Sequence, residues 1–206
     1  ADLIALAVDL ADGSWVSRYG AGRVDAVEAV EAETLAAGDD GLVSLSWGYT
    51  PFMEAQAAFT KTVVLYNEGV EKTFDIAWQF STTQTLQSGI SFQMPTTVTV
   101  ASDDVASVDV TLWLDAQTIA AQSQLQMMKL GRANILEEYH GFITFTNQHD
   151  PSEVLRVPFY VVPRPYTDVR GLATLASPRS LTSTVQLTHT GAITSMLETF
   201  TAYGED

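Results

Sequence analysis

Lys72-Thr73-Phe74-Asp75-Ile76-Ala77-Trp78-Gln79-Phe80 is the stretch that decides the fold reading. Phe74, Ile76, Trp78 and Phe80 alternate strictly with Thr73, Asp75, Ala77 and Gln79. Period two predicts a strand with one face in a core. Just before it, Phe59–Tyr66 is a β-rich run that ends at Asn67-Glu68-Gly69. That tripeptide reads as a hairpin loop, with Gly69 free to take positive φ. Further out, Leu45, Trp47 and Tyr49 alternate, and strands are predicted at Ile90–Met94, Val98–Val100, Val108–Leu114, Gly141–Thr146 and Val154–Val162. About seven short strands with turn signals between them predict an antiparallel sandwich.

The flanks read differently. Residues 1–38 are Ala-rich and acidic, with apolar residues at helical spacing broken at Asp12-Gly13 and Gly20-Ala21-Gly22. The reading is helix, loop, helix, punctuated by Gly38-Asp39-Asp40-Gly41. The chain starts inside what reads as a helix, so the expectation is a piece of something larger. Ala116–Glu138, rich in Gln, Ala, Leu and Met, has no strand period and reads as a helix or a mobile excursion. Pro163-Arg164-Pro165 reads as a stiff linker. Beyond it, Gly171–Ala176, Thr184–Thr190 and Ser195–Tyr203 are strand-like, and about 40 residues make a poor core of their own. They read as the front of a second β module.

Composition narrows the function classes. Hydrophobic residues make up 46% of the 206, enough for a real core. The formal net charge is −15, which opposes nucleic acid and anionic lipid alike. Cysteine is absent, which removes disulfides and thiolate metal sites and leaves the compartment open. No window approaches the ~20 apolar residues of a membrane span.

Tyr19-Gly20-Ala21-Gly22-Arg23-Val24-Asp25-Ala26-Val27-Glu28-Ala29-Val30 resembles the closing signature of subtilisin-like serine proteases, the S8 family. In that family a Gly-x-Gly-x-Val-Asp/Asn-Ala run opens the last helix of the catalytic domain. The resemblance implies that Val24, Val27 and Val30 face the protease body. Downstream, Asn67-Glu68-Gly69, Pro95–Val100, Val108–Leu112, Tyr139–Ile143 and Leu155–Tyr160 are similar, in order, to pieces of the fibronectin-III-like domain that follows many subtilases. The likeness covers roughly residues 1–165. It implies a mainly β chain in three parts: 1–40, the helical end of a catalytic domain; 41–165, a fibronectin-III-like β-sandwich; 166–206, the start of a further β module.

Subtilases order their triad Asp, His, Ser. Asp12-Gly13-Ser14, His140-Gly141 and Thr194-Ser195-Met196 follow that order but fail the motifs. Asp12 lacks the Ser/Thr-Gly order. Phe142 replaces the Thr expected after His140-Gly141. Ser195 follows Ile193-Thr194 rather than Gly. A nucleophile needs a base and oxyanion donors in fixed geometry. No residue is therefore assigned to catalysis, to a cofactor or to a metal. His140, His149 and His189 lack metal spacing and read as surface or turn histidines. Asp39-Asp40, Asp103-Asp104 and Glu137-Glu138 offer oxygen ligands of the kind calcium takes, against the plainer reading of solvated turn carboxylates. Among Trp15, Trp47, Trp78 and Trp113, Trp47 and Trp78 read as core, and Trp113 as either exposed or packed on a neighbour.

The expectation is a non-catalytic accessory region of a secreted bacterial serine endopeptidase. It would brace the protease domain of the same polypeptide and help position protein substrate. The alternatives are a carbohydrate- or wall-binding sandwich and a bare spacer. A brace should show a broad apolar patch, and a sugar binder a row of exposed aromatics.

Overall fold

The computed structural model describes residues 16, 20–23, 26–38, 40–81, 89–130, 137–172 and 186–193. Its elements are α1 (Ala26–Glu31), β1 (Thr34–Gly38), β2 (Leu45–Phe52), β3 (Gln56–Asn67), β4 (Lys72–Phe80), β5 (Ile90–Gln93) and β6 (Thr97–Val100). After them come β7 (Asp104–Asp115), α2 (Ala116–Leu130), β8 (Tyr139–Asn147), β9 (Val154–Pro165), β10 (Asp168–Leu172) and β11 (Gln186–Thr190).

Two sheets face each other. One runs β1-β3-β7-β5 and the other β2-β9-β8-β4-β6. The alternation read from the sequence places the core. Phe74 and Ile76 point inward beside Ile143, Phe145, Leu155, Val157 and Phe159, and meet Val63, Leu65, Val108 and Val110 of the other sheet. Trp78 and Phe80 complete the inward row, partly buried, while Asp75 and Gln79 are exposed. Trp78 sits edge-on to Phe80 and Phe92, at 5.3 and 5.1 Å between centroids. Trp47 also packs on the core, 5.7 Å from Phe92.

The sandwich is not wholly antiparallel: β2 runs parallel to β9, from Leu45↔Phe159 to Phe52↔Pro165. The chain crosses from the first sheet to the second between β1 and β2, so β2 arrives in the direction of the last strand. Gly38 makes the crossing tight, because a Cβ there would lie 2.8 Å from Asp40 Oδ1 and 3.0 Å from the Leu42 carbonyl.

Four local expectations are corrected. Thr34–Gly38 is a strand, not helix: it pairs with β3 from Thr34↔Asn67 to Gly38↔Val63. Ladder hydrogen bonds and burial of Ala36 outweigh the helix preference of Leu-Ala-Ala. Asn67-Glu68-Gly69 is not a hairpin, since β3 and β4 lie in different sheets; it arches between them. Gly69 is not among the glycines with positive φ. Its small size matters instead, because a Cβ would sit 2.2 Å from Glu33 Oε2. Pro163-Arg164-Pro165 is strand, paired with Thr50, Pro51 and Phe52. Among the described residues the β8 ladder stops at Tyr139↔Val161, before the prolines, and proline is tolerated where no ladder partner needs its N–H.

The undecided stretch after β7 contains the helix α2. Asp115 caps it: its Oδ1 accepts from Thr118 N at 2.8 Å and from Thr118 Oγ1 at 2.6 Å. These bonds hold its carboxyl below the usual carboxylate value. Ile119 and Ala120 bury into a second core cluster with Phe52, Leu112, Leu114, Tyr139 and Val161. Ile193 joins the same cluster, so the segment after β9 comes back to the sandwich. Tyr166 N donates to the Phe52 carbonyl and Ala192 N to that of Met53, each at 3.0 Å. Of the three strand-like runs expected there, Gly171–Ala176 is described only at residues 171 and 172, the end of β10, and Thr184–Thr190 from Gln186 on, as β11; β10 and β11 pair as a two-stranded ribbon. The third, Ser195–Tyr203, lies outside the described residues.

Candidate functional site

The outer face of the second sheet holds the least ordinary chemistry. In Tyr139-His140-Gly141-Phe142-Ile143-Thr144-Phe145, odd-numbered positions face the core, and β8 pairs with β4 and β9 on either side. His140 and Phe142 therefore point outward, yet they are 0% and 3% exposed. What covers them is the N-terminal segment. Ala21, 6% exposed, packs on Phe142, with Val16 against the pair. On the other side the Arg156 guanidinium lies 4.0 Å from the centre of the Phe142 ring.

The signature glycines make this docking possible. Gly20 and Gly22 have φ of 63° and 127°, values that side chains disfavour. Gly20 N donates to the Val16 carbonyl at 2.8 Å. The chain reverses there and lays Ala21 flat on the sheet.

His140 anchors the seam. Its Nδ1 is bonded to Ser81 Oγ, and Val16 N donates to the same nitrogen at 3.5 Å. Ser81 N also donates to the His140 carbonyl at 3.1 Å. Burial pushes the imidazole below its ordinary value, against the pull of the Glu138 carboxylate. Tyr160, opposite His140 in the β8–β9 register, is shifted up by burial and by Glu138. Gly141 is needed for packing alone: a Cβ would fall 2.0 Å from the Gln79 carbonyl oxygen. Beside the seam lies a mainly apolar groove of about 400 Å³, walled by Gly20 and Ala21, by Val43 and Ser44, and by Pro158 and Tyr160.

The other residues singled out in the sequence scatter. The expected surface or turn character of His140 is corrected, because it is 0% exposed at the seam where Val16 and Ala21 dock; His149 and His189 are exposed. Asp12-Gly13-Ser14, Trp15 and Thr194-Ser195-Met196 lie outside the described residues, as does Asp39. Asp40 accepts from Leu42 N at 3.0 Å, and Asp103 takes positive φ in the β6–β7 turn. Glu137 accepts from the buried Tyr139 hydroxyl at 2.7 Å, and burial first, then Glu137, raises that phenol far above its ordinary value. Among the described residues no three His, Asp or Glu gather as a metal-holding group. Trp113 is 38% exposed, its indole N–H donating to Gln93 Oε1 at 3.1 Å.

Sequence reasoning missed the roles of Ser81 and Arg156 and the burial of Phe142. One signal for the last was present: Phe142 is a large apolar side chain on the face shared with His140, Thr144 and Thr146, where only a cover would bury it.

α1 carries the second feature. Ala29 in the helix and Ala32 just after it pack against the main core, whereas Val27 and Val30 point away and are 67% and 87% exposed. On the outer face of the first sheet, Leu35, Tyr66 and Val105 are aligned across β1, β3 and β7, and Tyr66 and Val105 are 44% and 49% exposed.

No family model matches the chain, and no curated protein matches it in sequence. Solved structures resemble it distantly. A FixG-related protein from Vibrio parahaemolyticus is 10% identical, covering 63% of this chain and 94% of that one, with a TM-score of 0.39. The PapD-like domain 7 of human CEP192 is 10% identical over 65% of this chain and 87% of that one, at 0.38. The secreted serine protease VesC from Vibrio cholerae is 10% identical over 57% of this chain and 21% of that one, at 0.34. At such scores these likenesses carry no function across, and sandwiches host many.

Proposed function

We propose that this chain is the non-catalytic accessory region of a subtilisin-like serine endopeptidase exported by a bacterium, and that its sandwich braces the protease domain of the same polypeptide. The observation that supports this most is the two-sided α1. A helix apolar on one side only is finished once that side is covered. This one gives Ala29 to the sandwich and offers Val30 to something else. That is the side which the signature resemblance assigns to a protease body. The positive φ of Gly20 and Gly22 gives the signature glycines a physical purpose. In this reading the fragment hydrolyses nothing itself, because it carries no triad motif.

A glycan-binding role has less support. Among the described residues the exposed aromatics are scattered: Trp113 and Tyr66 lie near opposite ends of the β3–β7 ladder, Tyr49 is on β2 in the other sheet, and Tyr166 follows β9.

The test uses the polypeptide of the whole gene. Val30→Asp should lower the unfolding midpoint of the domain before the sandwich and reduce casein hydrolysis, while leaving the sandwich's own transition in place. Unchanged hydrolysis and unchanged midpoints would end the brace reading, as would a gene with no protease domain upstream.

A further inference from the structure

We propose that His140 makes the sandwich's grip on Val16 and the Gly20–Arg23 turn pH-sensitive: the neutral ring holds this segment, and protonation at Nδ1 releases it. This inference does not depend on the protease reading.

The argument starts from donors and acceptors. A backbone N–H only donates, so Val16 N can bond Nδ1 only while that nitrogen keeps its lone pair. The neutral ring therefore carries its proton on Nε2, and Ser81 Oγ donates to Nδ1 as well. Adding a proton at Nδ1 sets an N–H against the Val16 N–H. Ser81 can adapt by rotating its hydroxyl from donor to acceptor, but Val16 cannot. The ring is 0% exposed beneath the segment, so a charge formed there is stripped of water unless the segment lifts. Lifting it rehydrates the imidazolium and uncovers Phe142 alongside.

The charged and titratable groups around the ring do not remove this bias. Just before β8 comes Glu138, whose carboxylate favours the imidazolium but is outweighed by burial. Glu137, next to it, is engaged by Tyr139. From β9 come Tyr160, neutral across the whole range concerned, and Arg156, a cation held over Phe142 that opposes a second positive charge. Ser81, following β4, is uncharged. The described part of the docked segment carries one charge, Arg23, which is exposed.

The sign follows by linkage. The released histidine titrates near about 6.5, and the docked one lower. Docking is at full strength above about pH 6.5 and weakens as the pH falls toward the docked value, by up to about tenfold per pH unit for one proton. Below the docked value it weakens no further.

Amide hydrogen exchange on the full chain, corrected for the intrinsic rate, tests this at pH 7.5, 6.5 and 5.5. Peptides over residues 16–23 should lose up to about tenfold of their protection between the first and the last, while β8 and β9 keep theirs. His140→Gln, a neutral acceptor at every pH, should abolish the response. Ser81→Ala, which removes a donor that favours the neutral ring, should move the midpoint to higher pH. Equal protection of 16–23 at all three values overturns the proposal. So does a full response in His140→Gln, or a loss that spreads to β8 and β9 together with the segment.

Discussion

The two ends of the sandwich are closed by opposite means. At the end where α2 and the returning segment arrive, the closure is apolar: Phe52, Leu114, Ile119 and Ile193 are each less than 10% exposed and touch one another's cluster. At the arch end it is polar. Asn67, 2% exposed, donates through Nδ2 to the carbonyls of Val70 at 2.7 Å and Ala101 at 2.9 Å. Its Oδ1 accepts from Thr34 Oγ1 and Gly69 N, each at 3.2 Å. Beside it Lys72 bridges Glu33 at 3.2 Å and Glu153 at 2.9 Å, and Asn147 Nδ2 donates to Glu153 Oε2 at 2.6 Å. Burial works against the charge on Lys72, but the bonds and charges of Glu153 and Glu33 prevail and raise its value. The difference follows from what each end must join. The apolar end adds a helix, which brings its own satisfied backbone. The arch end turns chain between sheets, which leaves backbone groups without ladder partners.

If the apolar end is held by packing, the largest loss should come from hollowing it. Phe52→Ala should cost about 3–5 kcal/mol, with the cavity adding to the lost transfer energy. At about 2–4 °C per kcal/mol for a chain of this size, thermal unfolding should fall by roughly 6–20 °C. A shift under about 3 °C would mean that the second cluster contributes little and that the ends differ less than their contacts suggest.

Asn67→Ala probes the polar end and should cost somewhat less. It leaves the buried Thr34 hydroxyl without its bond, which costs about 1–3 kcal/mol, while Gly69, Val70 and Ala101 are open enough for water to replace theirs. Asn67→Asp sharpens the comparison. It keeps the acceptor for Thr34 and Gly69 but turns a carboxylate oxygen toward two carbonyls. Urea unfolding should show Asn67→Asp no more stable than Asn67→Ala. If Asn67→Asp is close to the parent, the Nδ2 bonds are not what holds this end.

The sequence disclosed these ends unequally. Alternation in Phe74–Phe80 and Val108–Leu114 reports which face is buried, because a strand's period survives in its side chains whatever it pairs with. Pairing partners leave no such mark. Asn67-Glu68-Gly69 says that the chain turns, and a hairpin and an arch use the same residues for it. The parallel β2–β9 pair, and the bonds from Lys72 to Glu33 and Glu153, join residues far apart in sequence. In β1, Leu-Ala-Ala carries a helix preference that its neighbours override. The seam was half legible: Phe142 puts one large apolar residue on the outer face of β8, but nothing local names Val16 and Ala21 as the cover.

The smallest expected effect separates packing from capping within the apolar end. Asp115 lies where β7 becomes α2, and its two bonds from Thr118 satisfy the helix start. Asp115→Ala should cost about 1 kcal/mol, while Asp115→Asn, also a good cap, should cost a few tenths at neutral pH. The two differ again in acid. A carboxyl held below its ordinary value contributes stability that is fully present above the unfolded value, near about 3.9, and is lost as the pH falls through the folded value. Because Asp115 is partly open to water, that contribution is screened and small. Unfolding midpoints measured from pH 7 down to pH 2.5 should therefore converge for the parent and Asp115→Asn, while Asp115→Ala stays below both at neutral pH. Should Asp115→Ala match the parent at pH 7, α2 is held by Ile119 and Ala120 alone, and this end of the sandwich owes nothing to its polar groups.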